Sequence, residues 1–186
     1  VSVLAASADT LYIGGTFSQV EGGISLKNFA AFSLTDQSLV PIDAALPTFA
    51  SGVTGIGATT TVIYLGGSFS AAGGELRTNL AAISPVDGFA IAWGPPMDVG
   101  PNVITLTDSY AYTGGQFRQV GSQIVGFFAP FSRAPQFQGA TLSDPVTLQA
   151  NLTTGDRTDV VLQWAPNILS GPWTNIATNS PGFPWT

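Results

Sequence analysis

The stretch "LYIGGTFSQVEGG" at residues 11–23 places a glycine pair, a phenylalanine and a second glycine pair directly after strand-forming residues. The pattern recurs as "IYLGGSFSAAGG" at residues 63–74 and as "AYTGGQFRQVGS" at residues 111–122, with the tyrosines 52 and 48 residues apart. Self-similarity at such a period indicates a repeat architecture. We call the shared pattern the Tyr-x-Gly-Gly-x-Phe motif, and its residues are Tyr12, Gly14, Gly15, Phe17, Tyr64, Gly66, Gly67, Phe69, Tyr112, Gly114, Gly115 and Phe117.

Each motif is flanked by two further recurring blocks. Upstream lie "VSVLAAS", "GVTGIGA" and "NVITLTD", and downstream lie "NFAAFS", "NLAAIS" and "FFAPFS". Their alternation and the glycine-rich turns between them predict three short strands in each copy. In the second copy "FAIAWGPP" predicts a fourth strand ending at Trp93, where the first copy has "SLVPIDAALP" and the third has no equivalent.

Four strands in about 50 residues are the unit of a β-propeller blade. We therefore predict an all-β fold with about three propeller-like repeats, at residues 1–50, 51–100 and 101–132. A solenoid of stacked β units is the alternative. Because propellers typically have about 4–8 blades, three repeats imply further blades elsewhere, closure by two or more chains, or an open array.

The repeats resemble the delta-60-type propeller-like repeats of large secreted bacterial proteins. The second copy carries the pattern most fully, because it adds an Arg-x-Asn-Leu-Ala-Ala block from Arg77 and a Trp-x-Pro sequence at Trp93. The first copy lacks the Trp, and the third lacks the second glycine pair and the Asn. The resemblance covers roughly residues 1–132 and implies a propeller-like fold, with no chemistry common to the family.

Residues 133–186 predict a second domain. "RAPQFQG" reads as a linker, and "VTLQANL", "TDVVLQWAPN" and "PWTNIATN" predict three alternating strands with turns at Gly155 and Asp156 and at Ser170 and Gly171. This segment is similar to a fibronectin-like C-terminal module of secreted bacterial proteins, which implies a small, partial β-sandwich. An incomplete sandwich exposes a strand edge that another chain can cover.

Composition excludes several functional classes. Charged residues make up 9% of the chain, against about 25% in an ordinary soluble domain. The net charge is −6 and the five cations are scattered, so the basic footprint needed for nucleic-acid binding is missing. No stretch approaches the roughly 20 apolar residues of a membrane span. A surface so poor in charge favours association with other chains.

The residue types also restrict the chemistry. The chain has neither His nor Cys, which excludes zinc, haem and Ser-His-Asp sites within one chain. Asp36 and Asp87 recur at equivalent turn positions, as do Asp9 and Asp108, and we interpret them as turn formers. A calcium site formed between loops stays open as an alternative. The glycine pairs lack the strand–loop–helix context of a phosphate site, so we expect no cofactor and no catalytic residue.

Aromatic side chains are the remaining candidates for ligand contact. We expect the repeated tyrosines to be framework residues, and Trp164 and Trp173 to form the core of the second domain. Trp93, beside two prolines, and Trp185, beside Pro184, are predicted to be exposed and are the candidate glycan contacts.

The sequence therefore predicts a non-enzymatic extracellular or cell-surface protein with a structural or adhesive role. We expect it to act within a larger assembly, such as a surface filament or a longer secreted protein, through self-association. The alternative is a carbohydrate-binding accessory module of a secreted polysaccharide-processing system.

Overall fold

The computed structural model describes residues 1–20, 23–47 and 52–133 in full, and beyond them the backbone of four strands at residues 136–143, 147–153, 160–164 and 174–179. These residues form an all-β protein of twenty short strands in eight antiparallel sheets, none of which closes into a barrel. The described residues contain no α-helix, and accordingly no helix that could cross a membrane. The chain divides into two compact units, Val1–Ala134 and Pro135–Thr186.

The first unit contains three copies of one sheet pattern. Repeat 1 consists of β1 (Val3–Ser7), β2 (Thr10–Gly14), β3 (Gln19–Val20), β4 (Ile24–Ser25), β5 (Phe29–Ser33) and β6 (Leu39–Val40). Repeat 2 consists of β7 (Gly52–Ala58), β8 (Ile63–Ser68), β9 (Ala71–Ala72), β10 (Glu75–Leu76) and β11 (Leu80–Ile83). Repeat 3 consists of β12 (Pro101–Leu106), β13 (Tyr110–Gly115), β14 (Gln119–Val120), β15 (Gln123–Ile124) and β16 (Phe128–Ser132).

Each repeat is an antiparallel meander with a small hairpin inserted. The orders are β1-β2-β5-β6 in repeat 1, β7-β8-β11 in repeat 2 and β12-β13-β16 in repeat 3. The two-stranded hairpins β3-β4, β9-β10 and β14-β15 lie between the second and third strands of each meander. The three strands predicted in each copy are present, whereas the hairpins were not predicted.

The fourth strand predicted for repeat 2 is not present as a regular strand. The segment that ends at Trp93 makes one isolated bridge, between Ile83 and Ala90, whereas repeat 1 has a regular two-residue fourth strand, β6. Gly94 adopts a φ of 131°, and two prolines follow it. The Ile91 N–H still donates to the Ala82 carbonyl at 2.8 Å. The two prolines cannot donate to a strand ladder, and the chain continues toward repeat 3 without a regular fourth strand.

The strands have two apolar faces because the repeats pack against one another on both sides. Side chains alternate between the faces of a strand, and directly opposed residues of neighbouring strands share a face. We call the face that bears the motif tyrosine the forward face and the opposite one the rear face. A first core cluster joins the forward face of repeat 1, through Tyr12, Phe29 and Ala31, to the rear face of repeat 2, through Ile56, Ile63, Leu65, Ala81 and Ile83.

A second cluster repeats this arrangement one step along the chain. The forward face of repeat 2, with Tyr64, Leu80 and Ala82, packs against the rear face of repeat 3, with Ile104, Ala111 and Ala129. The core of the first unit therefore lies between the repeats rather than within any one sheet. A single sheet buries little surface alone, so its stability depends on its neighbours.

The second unit contains two separate antiparallel pairs among its described residues. These are β17 (Gln136–Ser143) with β18 (Thr147–Thr153), and β19 (Val160–Trp164) with β20 (Thr174–Asn179). The three predicted strands are present as β18, β19 and β20. The predicted linker "RAPQFQG" is partly wrong, because β17 begins within it at Gln136 and pairs with β18. The predicted turn residues Gly155, Asp156, Ser170 and Gly171 lie outside the described residues.

Candidate functional site

The first motif glycine of repeats 1 and 2 lies against the next repeat. A Cβ on Gly66 would lie 2.5 Å from Cγ of Pro101 in repeat 3. A Cβ on Gly14 would lie 2.7 Å from a methyl of Val53 in repeat 2 and 2.7 Å from a methyl of Val3 in its own repeat. Only glycine fits where another backbone or side chain approaches so closely. This position is therefore a socket on the forward face that receives the first strand of the following repeat.

The second glycine of each motif serves its own repeat. A Cβ on Gly67 would overlap the Gly52 carbonyl, and one on Gly115 would lie 3.0 Å from Cα of Pro101. The first strands of repeats 2 and 3 bulge at this level, between Val53 and Gly55 in repeat 2. In repeat 2, the first glycine of the pair leaves room for the neighbouring repeat, and the second leaves room for the backbone of its own repeat.

The phenylalanine of each motif lies toward the preceding repeat. Phe69 belongs to the first cluster and Phe117 to the second, and both are buried. Phe17, the equivalent residue of repeat 1, is half-buried. The two buried phenylalanines therefore fill space between successive repeats.

The motif tyrosines differ in environment although their position in the repeat is the same. Tyr12 and Tyr64 are buried, whereas Tyr112 is half-buried. Burial raises the pKa of Tyr12, with a side-chain hydrogen bond from Thr10 opposing the shift and the charge of Asp9 adding to it. The phenol of Tyr12 is therefore a neutral packing group, as a framework role requires.

An asparagine in the left-handed region joins the motif to the third strand. Asn79, with a φ of 67°, accepts a hydrogen bond at Oδ1 from the Phe69 N–H at 3.2 Å. Its Nδ2 donates to the carbonyl oxygens of Met97 at 2.9 Å and Asp98 at 3.2 Å. Asn28 has a φ of 64° and accepts the same bond from Phe17. In repeat 3 this position is Phe127, with a φ of 59°.

Trp93 is not the exposed residue that the sequence predicts. Its side chain is half-buried, and its Nε1–H donates to the Ser132 carbonyl oxygen at 2.7 Å. Its ring is near-perpendicular to those of Tyr64 and Phe131, at centroid distances of 4.9 and 5.9 Å. Trp93 therefore connects repeats 2 and 3, and the glycan contact predicted for it stays a prediction. The other candidate, Trp185, lies outside the described residues.

The recurring aspartates form turns. Asp36 accepts hydrogen bonds from the Ser38 N–H and hydroxyl at 3.1 and 2.8 Å, and Asp87 accepts one from the Phe89 N–H at 3.1 Å. Side-chain hydrogen bonds, from Ser33 to Asp36 and from Ser84 to Asp87, are the leading cause that lowers the pKa of each carboxyl. Among the described residues, no group of three acidic side chains converges as a metal site would require.

Asp98 holds the connection between repeats 2 and 3. Its carboxylate accepts hydrogen bonds from the backbone N–H groups of Arg118 and Gln119, each at 3.1 Å, and from its neighbour Val99 at 3.0 Å. Desolvation raises the pKa of this carboxyl, but the three donors outweigh it and the net shift is downward. The charged form of Asp98 is the form that the fold stabilises.

The forward face of repeat 3 is open. Tyr110 and Tyr112 lie with ring centroids 5.9 Å apart, and Tyr112 stacks on Phe128 at 5.9 Å with planes inclined by 18°. The equivalent pair in repeat 1, Tyr12 with Phe29, also stacks at 18° but is covered by repeat 2. The row in repeat 3 is flanked by the exposed residues Val103 and Pro130.

The rear face of repeat 1 is open at the opposite end of the unit. Leu4 is exposed, and Leu11, Ile13 and Phe32 are half-buried. Their equivalents in repeat 2 are Ile56, Ile63, Leu65 and Ile83, all buried against repeat 1. The described part of the unit thus ends in two apolar sheet faces of the kinds that pair inside it. Exposed apolar patches of this type mark interaction sites.

Comparisons with family models, curated proteins and solved structures gave no match for this chain. The candidate site is therefore defined by geometry alone. Sequence reasoning found the motif residues but missed the two open faces.

Proposed function

We propose that this chain is a non-enzymatic, extracellular or cell-surface protein with a structural or adhesive role inside a larger assembly. The observation that carries the proposal is the pair of open apolar faces, each equivalent to a face that is buried between repeats. An aromatic face such as that of repeat 3 associates in water because burying apolar surface is favourable. The scarcity of charged residues, 9% of the chain, supports the same conclusion.

The finer architecture belongs to this proposal. We interpret the three repeats as blades of a β-propeller of the delta-60 type, and the second unit as part of a fibronectin-like sandwich. The meander with a short inserted hairpin and the face-to-face packing of successive sheets are features that support the blade interpretation. Secretion is proposed on the resemblance and on the absence of cysteine from the sequence.

A carbohydrate-binding role is the second candidate, and one observation favours it. The exposed row of Tyr110, Tyr112 and Phe128 presents aromatic rings of the kind that can stack on sugar faces. In repeats 1 and 2, however, the forward face is covered by a neighbouring sheet. By comparison with repeats 1 and 2, we interpret the aromatic row of repeat 3 as a surface that packs against protein rather than sugar.

Two measurements on the complete chain separate the candidates. The molar mass in solution, determined by light scattering over a hundredfold range of protein concentration, tests assembly. A glycan array tests sugar binding, with Tyr112→Ala as the variant that removes the central ring of the row. Association without array signal supports the structural role. A monomer whose array signal is lost in Tyr112→Ala would establish the carbohydrate-binding alternative.

A further inference from the structure

We propose that the outer edge of β16, the third strand of repeat 3, is closed to strand addition by Pro130 and by the side chain of Trp93. The outer edge is the side of the strand that faces away from β13. An exposed strand edge pairs readily with strands of other chains, and proteins block such edges with proline or with covering groups. The edge of a sheet is a different surface from its faces, and its closure does not depend on the proposed function.

Repeats 1 and 2 show what pairs with this edge inside the molecule. In repeat 1, β6 pairs with the third strand, β5. In repeat 2, Ala90 makes a bridge to Ile83 of the third strand, β11. The chain also continues past β16, but the next described strand, β17, pairs with β18. Among the described residues, β16 therefore pairs with β13 alone.

Hydrogen bonds in repeat 2 identify the residues of the third strand that direct their backbone groups at the outer edge. The Ile91 N–H donates to the Ala82 carbonyl at 2.8 Å, and the Ser84 N–H donates to the Phe89 carbonyl at 2.9 Å. The N–H and C=O of one residue point to the same side of a strand, and successive residues alternate between the two sides. Ala82 and Ser84 therefore serve the outer edge.

Pro130 occupies the first of these outward positions in repeat 3. It lies opposite Tyr112 of β13, as Ala82 lies opposite Tyr64 in repeat 2. Proline has no N–H, so β16 cannot donate a hydrogen bond to an added strand there. In repeat 1 the position is Ala31, which pairs with β6. Of the three repeats, only the one whose third strand has no described partner on this side has proline here.

Ser132 occupies the second outward position, and its carbonyl is already bonded. In repeats 1 and 2 the equivalent carbonyls, of Ser33 and Ser84, accept hydrogen bonds at 3.0 Å from N–H groups of the turn that follows the strand. In repeat 3 the Ser132 carbonyl accepts the Trp93 Nε1–H at 2.7 Å. A side chain of repeat 2 thus occupies the acceptor that an added strand would need.

The outward donor at the start of β16 is engaged as well. Phe128 lies two residues before Pro130 and directs its backbone groups to the same side. Its N–H donates to the Gly126 carbonyl at 2.6 Å. At the three outward positions, the donor of Phe128 is engaged, Pro130 has no donor, and the acceptor of Ser132 is engaged. An added strand would therefore lose a hydrogen bond at every outward position of β16.

The test reopens the edge in two steps and offers it a strand. Pro130→Ala restores an N–H, and Trp93→Phe frees the Ser132 carbonyl while it keeps an aromatic ring. The probe is a synthetic peptide of residues 86–92, "VDGFAIA", which contains the bridging residue of repeat 2. Amide chemical shifts of the 186-residue chain report binding and its location. The peptide is titrated to about 1 mM, because a single added strand is a weak ligand.

The unaltered chain should give no saturable shifts. A net hydrogen bond corresponds to about a fivefold change in affinity. We therefore expect Pro130→Ala to bind the peptide about fivefold more tightly than the limit for the unaltered chain. The double variant with Trp93→Phe should bind about 25-fold more tightly, with the shifts located in β16. Circular dichroism checks that each variant folds, and Pro130→Ala alone carries the test if Trp93→Phe does not fold.

Pro85→Ala is the matched control. Pro85 lies in the turn after β11, where the outward N–H of Ser84 is bonded within repeat 2. The substitution makes the same change in the conformational freedom of the unfolded chain but restores no donor on β16. Peptide binding to Pro85→Ala should therefore equal that of the unaltered chain.

Each other outcome overturns the closed edge or the residues assigned to it. Equal binding to the unaltered chain and the double variant would mean that the edge is open. No binding to any variant would mean that Pro130 and Trp93 are not what closes it. Binding whose shifts lie away from β16 would also overturn the inference. The molar mass in solution tests the proposed assembly separately, so the two proposals can fail independently.

Discussion

A single backbone position, at the start of the third strand, shows how this repeat tolerates sequence change. Asn28 and Asn79 occupy the left-handed region, which asparagine adopts more readily than most residues, and Phe127 occupies it in repeat 3. The backbone bonds persist, because the Phe127 N–H donates to the Phe117 carbonyl at 3.1 Å as Asn79 does to Phe69 at 3.0 Å. The conformation is thus set by the repeat, and Phe127 bears strain that asparagine would relieve.

Replacing Phe127 with Asn is expected to stabilise the first unit. Relief of the left-handed strain contributes about 1 kcal/mol, and the loss of the Arg118 cation–π contact at 5.9 Å offsets part of it, about 0.5 kcal/mol at an exposed site. Urea unfolding followed by circular dichroism measures the change. The reverse control is Asn79→Ala, which removes three side-chain hydrogen bonds and should cost about 2–3 kcal/mol. A destabilised Phe127→Asn variant would contradict the strain argument.

The two roles of the motif glycines give a matched pair of substitutions. Gly66→Ala places a methyl group 2.5 Å from Pro101 and should destabilise the chain by about 1–3 kcal/mol through overpacking. Gly114→Ala meets a movable valine methyl of its own repeat and should change stability by less than about 0.5 kcal/mol. Thermal unfolding of both variants checks this. Equal losses at the two positions would mean that the first glycine does not serve repeat packing.

At the scale of elements, the segment between β11 and β12 joins two repeats by side-chain contacts in place of a full strand. Trp93 contacts the third strand of repeat 3, and Asp98 holds the backbone of β14. Repeat 3 therefore depends on this segment for its position against repeat 2.

Trp93 is expected to be a structural residue. Trp93→Phe keeps an aromatic ring but loses the hydrogen bond to Ser132, which is worth about 1 kcal/mol. Trp93→Ala also loses the contacts with Tyr64 and Phe131, and we expect a loss of about 2–4 kcal/mol because the ring is half-buried. Denaturant unfolding of the two variants gives these values. Unchanged stability in Trp93→Ala, together with loss of a glycan signal, would restore the ligand-binding interpretation.

Asp98 makes stability depend on acid pH. Its pKa is lower in the folded chain than its ordinary value of 3.8. The folded state therefore binds the proton less readily than the unfolded state, and the stabilisation is present above the unfolded pKa and lost as pH falls through the folded pKa. We expect the midpoint of thermal unfolding to fall as pH decreases from about 5 to 2. Asp98→Asn should lower the midpoint at neutral pH and show a shallower decline, and a decline as steep as that of the unaltered chain would exclude this role.

The sequence correctly predicts the strands whose residues alternate between apolar and polar and recur in all three repeats. Three strands per repeat follow from alternation and from threefold recurrence, as in β2, β8 and β13. The inserted hairpins have two-residue strands, too short for any periodicity. The sequence predicts a linker where β17 begins because Pro135 precedes that strand. Exposure at Trp93 was predicted from two neighbouring prolines, but contact with the next repeat decides it. The residues around a position in the sequence do not determine whether a different repeat buries it.

At the scale of the molecule, the same limit explains why the candidate site was not predicted. Tyr12, Tyr64 and Tyr112 are indistinguishable in the motif, yet the third is less buried because no repeat follows it in the described chain. The burial of a motif residue thus depends on which repeat packs over it. Changing the number of repeats is therefore the most direct way to change the behaviour of the whole molecule.

A tandem chain tests this at full scale. It consists of residues 1–132, a copy of the connecting segment 85–100, residues 1–132 again and then residues 133–186. The added segment supplies repeat 3 with the connection that repeat 2 uses, including Trp93 and Asp98. A following repeat then covers the forward face of repeat 3 in the first copy, and we expect an unfolding midpoint above that of the single chain because more apolar surface is buried. Phe128→Asp in the first copy should lower the midpoint, because it places an unpaired charge under the added repeat. An unchanged midpoint in that variant would mean that the added repeat does not cover this face.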